Sequence, residues 1–125
     1  MNDTPKSVKK AYIDTSIALL AAKLGYWQFV ALSREWHLVL PTVTMRELRN
    51  MPRRASRILL TLMDRGVISV ECTGGAKTFD SFALRVLRPG AAAILSLDRR
   101  LLRTYYKGSN PPVRLCRNQF RRSGH

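Results

Sequence analysis

The chain has 125 residues, of which 22 are Lys or Arg and eight are Asp or Glu, for a formal net charge of +14. A hydrophobic share of 46% over this length supports one packed core and excludes a globally disordered chain. With two isolated cysteines, Cys72 and Cys116, the composition excludes a disulfide framework and a cysteine-rich zinc site.

So positive a balance points to a polyanion as partner, nucleic acid first. A ribosome-like basic surface, attraction to a membrane surface or a solvated charged face are plainer sources of the same charge. The apolar run Thr15–Ala22 falls well short of the ~20 residues a membrane span needs. Asp3 and Asp14 also disrupt a secretory signal. A cytoplasmic protein that contacts no membrane is therefore expected. His37 and His125 are read as structural or incidental rather than as metal ligands.

One domain over 1–125 is expected, with frayed ends at 1–7 and 121–125. Val8–Ile13 reads as a short strand. Thr15–Leu24 reads as a helix stopped by Gly25, and Tyr26–Ser33 as a second helical segment. Trp36–Leu40 is a buried strand candidate ended by Pro41. Thr44–Asn50 opens a helix whose "TMRE" has the capping-box pattern, Thr44 as cap and Glu47 three residues on. Pro52 interrupts, and Arg53–Asp64 forms the next helix. Its Ile58, Leu59, Leu62 and Met63 share one face at helical spacing, and Arg53, Arg54 and Arg57 share another.

Gly66 ends that helix, and Val67–Val70 is a strand candidate. "TGGAKT", residues 73–78, is a loop; it lacks the GxxxxGK[ST] spacing of a phosphate-binding loop. Phe79–Leu87 is a helix broken by Pro89 and Gly90. "AAAILSL", residues 91–97, is a buried strand. Asp98–Tyr106 is a helix stopped by Gly108, and Val113–Cys116 is a last strand. Strands alternating with helices predict an α/β fold, a parallel sheet flanked by helices.

In such sheets ligands bind beyond the carboxyl ends of the strands. Asp14 directly follows the first strand, and Asp98 follows "AAAILSL". Glu47 lies one turn into the helix after "HLVLP", and Asp80 opens the helix after the glycine loop. Each acid also has a plainer role. Asp14 and Asp98 suit helix caps, worth about 1 kcal/mol each. Glu47 could complete its capping box, and Asp80 complements a helix dipole. Taken together, acids gathered in a basic chain suit a hard divalent cation such as Mg²⁺ or Mn²⁺. A metal so held would lower the pKa of a water and neutralise a phosphodiester in line for attack.

These blocks resemble the PIN domain family. "YIDTSIALL" resembles its opening strand running into Asp-Thr-Ser, and "LPTVTMRELRNM" the block in which a Glu follows a strand-Pro turn. "TFDSFALRVL" resembles the block with an Asp opening a helix, "AAAILSLDRRLLR" the Ser-x-Asp that ends a strand, and "NPPVRLCRNQF" the closing strand. The match runs in order through nearly all of 8–120. The resemblance implies a Rossmann-like three-layer α/β/α sandwich with a central parallel sheet, and a divalent-metal-dependent endoribonuclease.

Asp14, Glu47, Asp80 and Asp98 then match the four acidic positions, with Asp14 and Asp98 the first metal ligands. Glu47 and Asp80 would bind a second metal or orient the water. Ser16 and Ser96 match hydroxyls that steady the acids. Leu97, Arg99 and Arg100 flank the fourth acid where many relatives carry an Asn or another acid. Ser81 follows Asp80 where some carry a second acid, so the implied site is minimal.

Arg46, Arg49, Arg53, Arg54 and Arg57 cluster beside the second block, Arg85 and Arg88 after the third, and Arg99, Arg100 and Arg103 after the fourth. They are the RNA-binding candidates. Trp27, Tyr105 and Tyr106 are considered for base stacking, although Trp27 fits the core better. Three roles stay open: an RNA-processing nuclease of the ribosomal-RNA branch, a ribonuclease toxin of a toxin–antitoxin pair, and a non-catalytic RNA-binding scaffold. Partners expected beyond RNA are a second copy in a homodimer, or an antitoxin or RNA-processing particle.

Overall fold

A computed structural model describes residues 9–113. The expected strand Val113–Cys116 beyond Val113, the frayed ends, Cys116 and His125 lie outside these residues. In chain order the elements are β1 (Lys9–Ile13), α1 (Thr15–Leu19), α2 (Ala21–Ser33), β2 (Trp36–Pro41), α3 (Thr42–Glu47) and α4 (Arg53–Asp64). β3 (Ile68–Glu71), α5 (Phe79–Arg85), β4 (Ala92–Leu95) and α6 (Arg99–Tyr106) follow. The fold is α/β, as the alternation predicts. Among the described residues no helix is long and apolar enough to cross a membrane.

The four strands run in the order β3-β2-β1-β4, and every pair is parallel. Tyr12 stands opposite Val39 on one side and Ile94 on the other. Alternation along each strand then sorts side chains to two faces. Ala11, Ile13, Leu38, Leu40, Ile68, Ala93 and Leu95 face α1, α2 and α4, whose Ile17, Phe29, Leu59 and Leu62 complete that core. Tyr12, Val39, Ala92 and Ile94 face α5 and α6 and meet Phe79, Phe82, Leu101 and Tyr105. Cover on both faces is why the strands read as continuous apolar runs rather than as an alternation. Burying a side chain such as Phe29 or Phe79, each almost wholly enclosed, is worth about 1.5–3 kcal/mol.

Polar groups of β1, β2 and β3 pair with one another on the second face as well. Glu71 accepts from Lys10 Nζ at 2.7 Å and from the Tyr12 hydroxyl at 2.7 Å. His37 Nε2 meets Ser69 Oγ at 2.9 Å. Burial pushes the Glu71 carboxyl up, but its bonds to Lys10 and Tyr12 outweigh this and hold it below the usual glutamate range.

α4 follows its sequence pattern. Ala55, Ile58, Leu59 and Leu62 are buried, while Arg53, Arg54 and Arg57 are exposed. Gly25 breaks α2 into two helical segments with φ +69° and ψ −175°, backbone that favours glycine.

Three expectations are corrected. Thr44 is not a helix cap. α3 starts two residues earlier, after Pro41, and Thr44 is buried inside it, donating to the Ile13 carbonyl at 2.8 Å. The first-turn N–H of Val43 goes instead to Thr73 Oγ1 at 3.1 Å, so a threonine distant in sequence does the capping. Glu47 consequently does not reach back to Thr44.

Trp27 is not in the core; it is 77% exposed. Tyr105 and Tyr106 are not available to stack on bases, being 3% and 6% exposed. The Tyr105 hydroxyl donates to the Ala92 carbonyl at 2.7 Å, and the Tyr106 hydroxyl accepts from Ile94 N at 3.0 Å. Both bonds use the side of β4 that points away from β1, where strand backbone needs partners. Tyr106→Phe is therefore expected to leave the Ile94 N–H unsatisfied and to cost about 1–3 kcal/mol in urea unfolding. RNA affinity should stay unchanged; a loss of affinity at unchanged stability would restore the stacking role.

Candidate functional site

The chain runs from β1 outward through β2 to β3, then returns to place β4 on the other side of β1. The crevice between the carboxyl ends of β1 and β4 is thus the point where strand order reverses, the usual place for a ligand in such sheets. Asp14 leaves β1 there, and Ser96, Leu97 and Asp98 leave β4 there.

Asp14 continues the ladder by donating its backbone N–H to the Leu95 carbonyl at 3.0 Å. Its side chain is 7% exposed. Oδ1 accepts from Thr15 N at 2.7 Å, which makes Asp14 the cap of α1. Oδ2 accepts from Ser96 Oγ at 2.5 Å and, more loosely, from Ser16 Oγ at 3.4 Å.

The two serines stitch the strand ends together. Ser96 Oγ accepts from Asp98 N at 3.0 Å, and Ser16 Oγ accepts from Leu97 N at 3.0 Å. Asp98 in turn caps α6, its Oδ1 accepting from Arg100 N at 3.0 Å and Leu101 N at 3.2 Å. The capping role and a site role are compatible, because the two cap bonds of Asp98 fall on Oδ1 and leave Oδ2, while Asp14 Oδ1 accepts one bond and keeps a second lone pair.

Glu47 is carried to the crevice by α3 and held by Thr15, whose Oγ1 donates to Oε1 at 2.6 Å. Sequence reasoning names Ser16 and Ser96 but not Thr15; the hydroxyl stands inside the same "DTS", yet its partner lies 32 residues away. Asp80 is exposed on the first turn of α5, behind the cap Thr78, which accepts from Ser81 N at 3.1 Å.

The four acids share one electrostatic field. Burial raises the Asp14 carboxyl above the usual aspartate range; the Ser96 and Thr15 bonds pull it back, and the charges of Asp80 and Glu47 push it up again. Partial desolvation, then the charges of Asp98 and Glu47, raise Asp80 as well. Among the described residues no three His, Cys, Asp or Glu side chains group tightly enough to hold one metal ion between them.

Arg49, Arg53, Arg54, Arg57, Arg85, Arg99, Arg100 and Arg103 are all exposed. Arg46 is exposed too, but its Nη2 donates to the Ala76 carbonyl at 2.6 Å and so ties the glycine loop to α3. Cys72 is an exposed free thiol.

Ser96→Ala should remove the closest donor to Asp14 and orphan the Asp98 N–H. The expected cost is about 1–3 kcal/mol in urea unfolding, with the Asp14 carboxyl raised further. Unchanged stability would show that the hydroxyl does not bridge the two strand ends.

No family model, curated protein or solved structure matches the chain.

Proposed function

We propose that this chain is a PIN-type endoribonuclease, an α/β/α sandwich of the Rossmann-like kind that hydrolyses RNA phosphodiester bonds with Mg²⁺ or Mn²⁺. The observation that carries the reading is Asp14 and Asp98 leaving β1 and β4 at the switch point of a parallel sheet, with Thr15 tying Glu47 beside Asp14, in a chain of +14. The four acid-bearing sequence blocks that resemble PIN domains, and the closing strand block after them, support it.

The donor set fits the ion. It is all carboxylate oxygen, which suits Mg²⁺ and Mn²⁺, and Asp14 and Asp80 sit above their usual range through desolvation first and the charges of neighbouring acids second. Asp14 and Asp98 would hold the metal directly, water completing the shell; Mg²⁺ commonly takes one or two carboxylates. When bound, such an ion lowers the pKa of a water and neutralises charge on the phosphodiester.

The chain's own residues do the rest. Ser96 and Thr15 fix the Asp14 carboxylate before any ligand arrives. Thr15 aims Glu47. Glu47 and Asp80 orient the attacking water and take its proton, a task that the raised Asp80 carboxyl suits. The exposed arginines draw the phosphate chain toward the crevice.

A second reading, a non-catalytic RNA-binding scaffold, is favoured by the lack of a three-member chelating group among the described residues. Mixed RNA incubated with the protein in Mn²⁺, in Mg²⁺ and in EDTA separates the two. The enzyme reading expects cleavage with metal and none in EDTA. Tight, salt-sensitive binding with no cleavage in either metal would overturn it in favour of the scaffold.

A further inference from the structure

We propose that the cleft between the 73–77 loop and α5 binds a backbone phosphate of single-stranded RNA, beside the phosphate presented to the acids. This deepens the endoribonuclease reading and rests on it for the strand's direction of approach, but not for the binding itself.

The cleft encloses about 500 Å³, within the range of sites for small ligands, roughly 300–1,000 Å³. That is room for one nucleotide unit and not for a duplex. Lys77 and Arg85 line it as cations, together with the hydroxyl-bearing Ser81 and Thr73. No carboxylate lines it among the described residues. Its ligand is therefore an anion with hydrogen-bond acceptors.

Its position selects the anion. Ser81 and Arg85 are four residues apart on α5 and share one side of that helix. Asp80, the next position round, is raised first by partial burial and then by the charges of Asp98 and Glu47, so it feels the acid cluster. One short helix thus presents a carboxylate to the crevice and a cation with a hydroxyl to the cleft. The opposite wall is fixed to the helix that carries Glu47. Arg46 holds the Ala76 carbonyl at 2.6 Å, Thr73 N donates to Thr42 Oγ1 at 3.0 Å, and Thr73 Oγ1 takes the Val43 N–H at 3.1 Å. A wall held by three such bonds loses little freedom when a ligand docks. A phosphate chain crossing α5 would meet acids on one side and a cationic slot on the other.

The test uses a labelled single-stranded RNA and fluorescence anisotropy in EDTA, so that binding is read without cleavage. The variants are Lys77→Gln with Arg85→Gln, and a control pair, Arg34→Gln with Arg65→Gln. The control residues are exposed and precede β2 and β3, at the other end of the sheet. The cleft pair is expected to weaken binding about tenfold. Its salt dependence should become shallower by roughly 0.7 in slope for the phosphate released. The control pair, removing the same charge, should change affinity far less.

Equal losses in the two pairs would overturn the proposal, because charge alone would then explain binding. An unchanged cleft pair would overturn it too. Cleavage by the wild type is read separately in Mn²⁺. A weakened cleft pair with no wild-type cleavage supports the cleft and removes the enzyme. Cleavage with an unweakened cleft pair removes the cleft and leaves the enzyme.

Discussion

Asp14→Asn is expected to lower the initial rate of Mn²⁺-dependent RNA cleavage by on the order of 10²-fold or more, while the fold and RNA binding persist. The local geometry explains the separation. An asparagine keeps a carbonyl oxygen for Thr15 N, so the cap of α1 stays closed. Its amide can donate to Ser96 Oγ in place of the bond Asp14 accepts, since that hydroxyl has a second lone pair beside the one taken by Asp98 N. The substitution also removes repulsion from Asp80 and Glu47. Melting followed by circular dichroism should therefore show no loss of stability, and anisotropy an unchanged RNA affinity. Retained cleavage would remove Asp14 from the chemistry; a lowered melting point would make its role structural.

The second large effect couples stability to pH and metal. The folded-state carboxyls of Asp14 and Asp80 are raised above their unfolded values. The folded chain thus binds these protons more tightly than the unfolded chain does. Their contribution to stability is fully present below the unfolded value, about 3.9, and is lost as pH rises through the raised folded values. At neutral pH without metal these two carboxylates are a cost. Glu71 works in the opposite sense: its lowered carboxyl adds stability above the unfolded glutamate value, lost as pH falls through the folded one.

The clean observable is the difference between wild type and Asp14→Asn. The variant should gain most over wild type near neutral pH in EDTA, and the gain should shrink on acidification. Mn²⁺ at about 100 times its Kd should then stabilise wild type by about 2.7 kcal/mol and the variant by far less. A pH-independent difference, or equal stabilisation of both by Mn²⁺, would contradict the cation role.

Much of this site is legible in the sequence because it follows from order along the chain. Alternating apolar runs and amphipathic segments dictate a parallel sheet, and such a sheet gathers whatever follows its strands. Asp14 and Asp98 flank the switch point for that reason. Gly25 announces its kink because no other residue takes that backbone so readily. What the sequence hides is contact between distant segments. The Thr42–Thr73 pair that shapes the start of α3 spans 31 residues, and so moves the helix off the local "TMRE" signal.

The aromatics show the same limit. The Gly25 kink resets the helical register, so that Phe29 turns inward and Trp27 outward. On α6, Tyr105 and Tyr106 are both enclosed because small Ala92 on the facing strand leaves room for rings, and the backbone of β4 offers partners for their hydroxyls. Residue type alone cannot tell a stacking ring from a buried one.

The most direct test of the acid cluster is metal binding itself. Mn²⁺ titrated into the wild-type chain and into Asp14→Asn, with free ion read by electron paramagnetic resonance, measures it without RNA. Binding by wild type that Mg²⁺ displaces and that Asp14→Asn loses is the predicted result. Equal Mn²⁺ binding by the two chains, or none by either, would contradict a metal centre at Asp14.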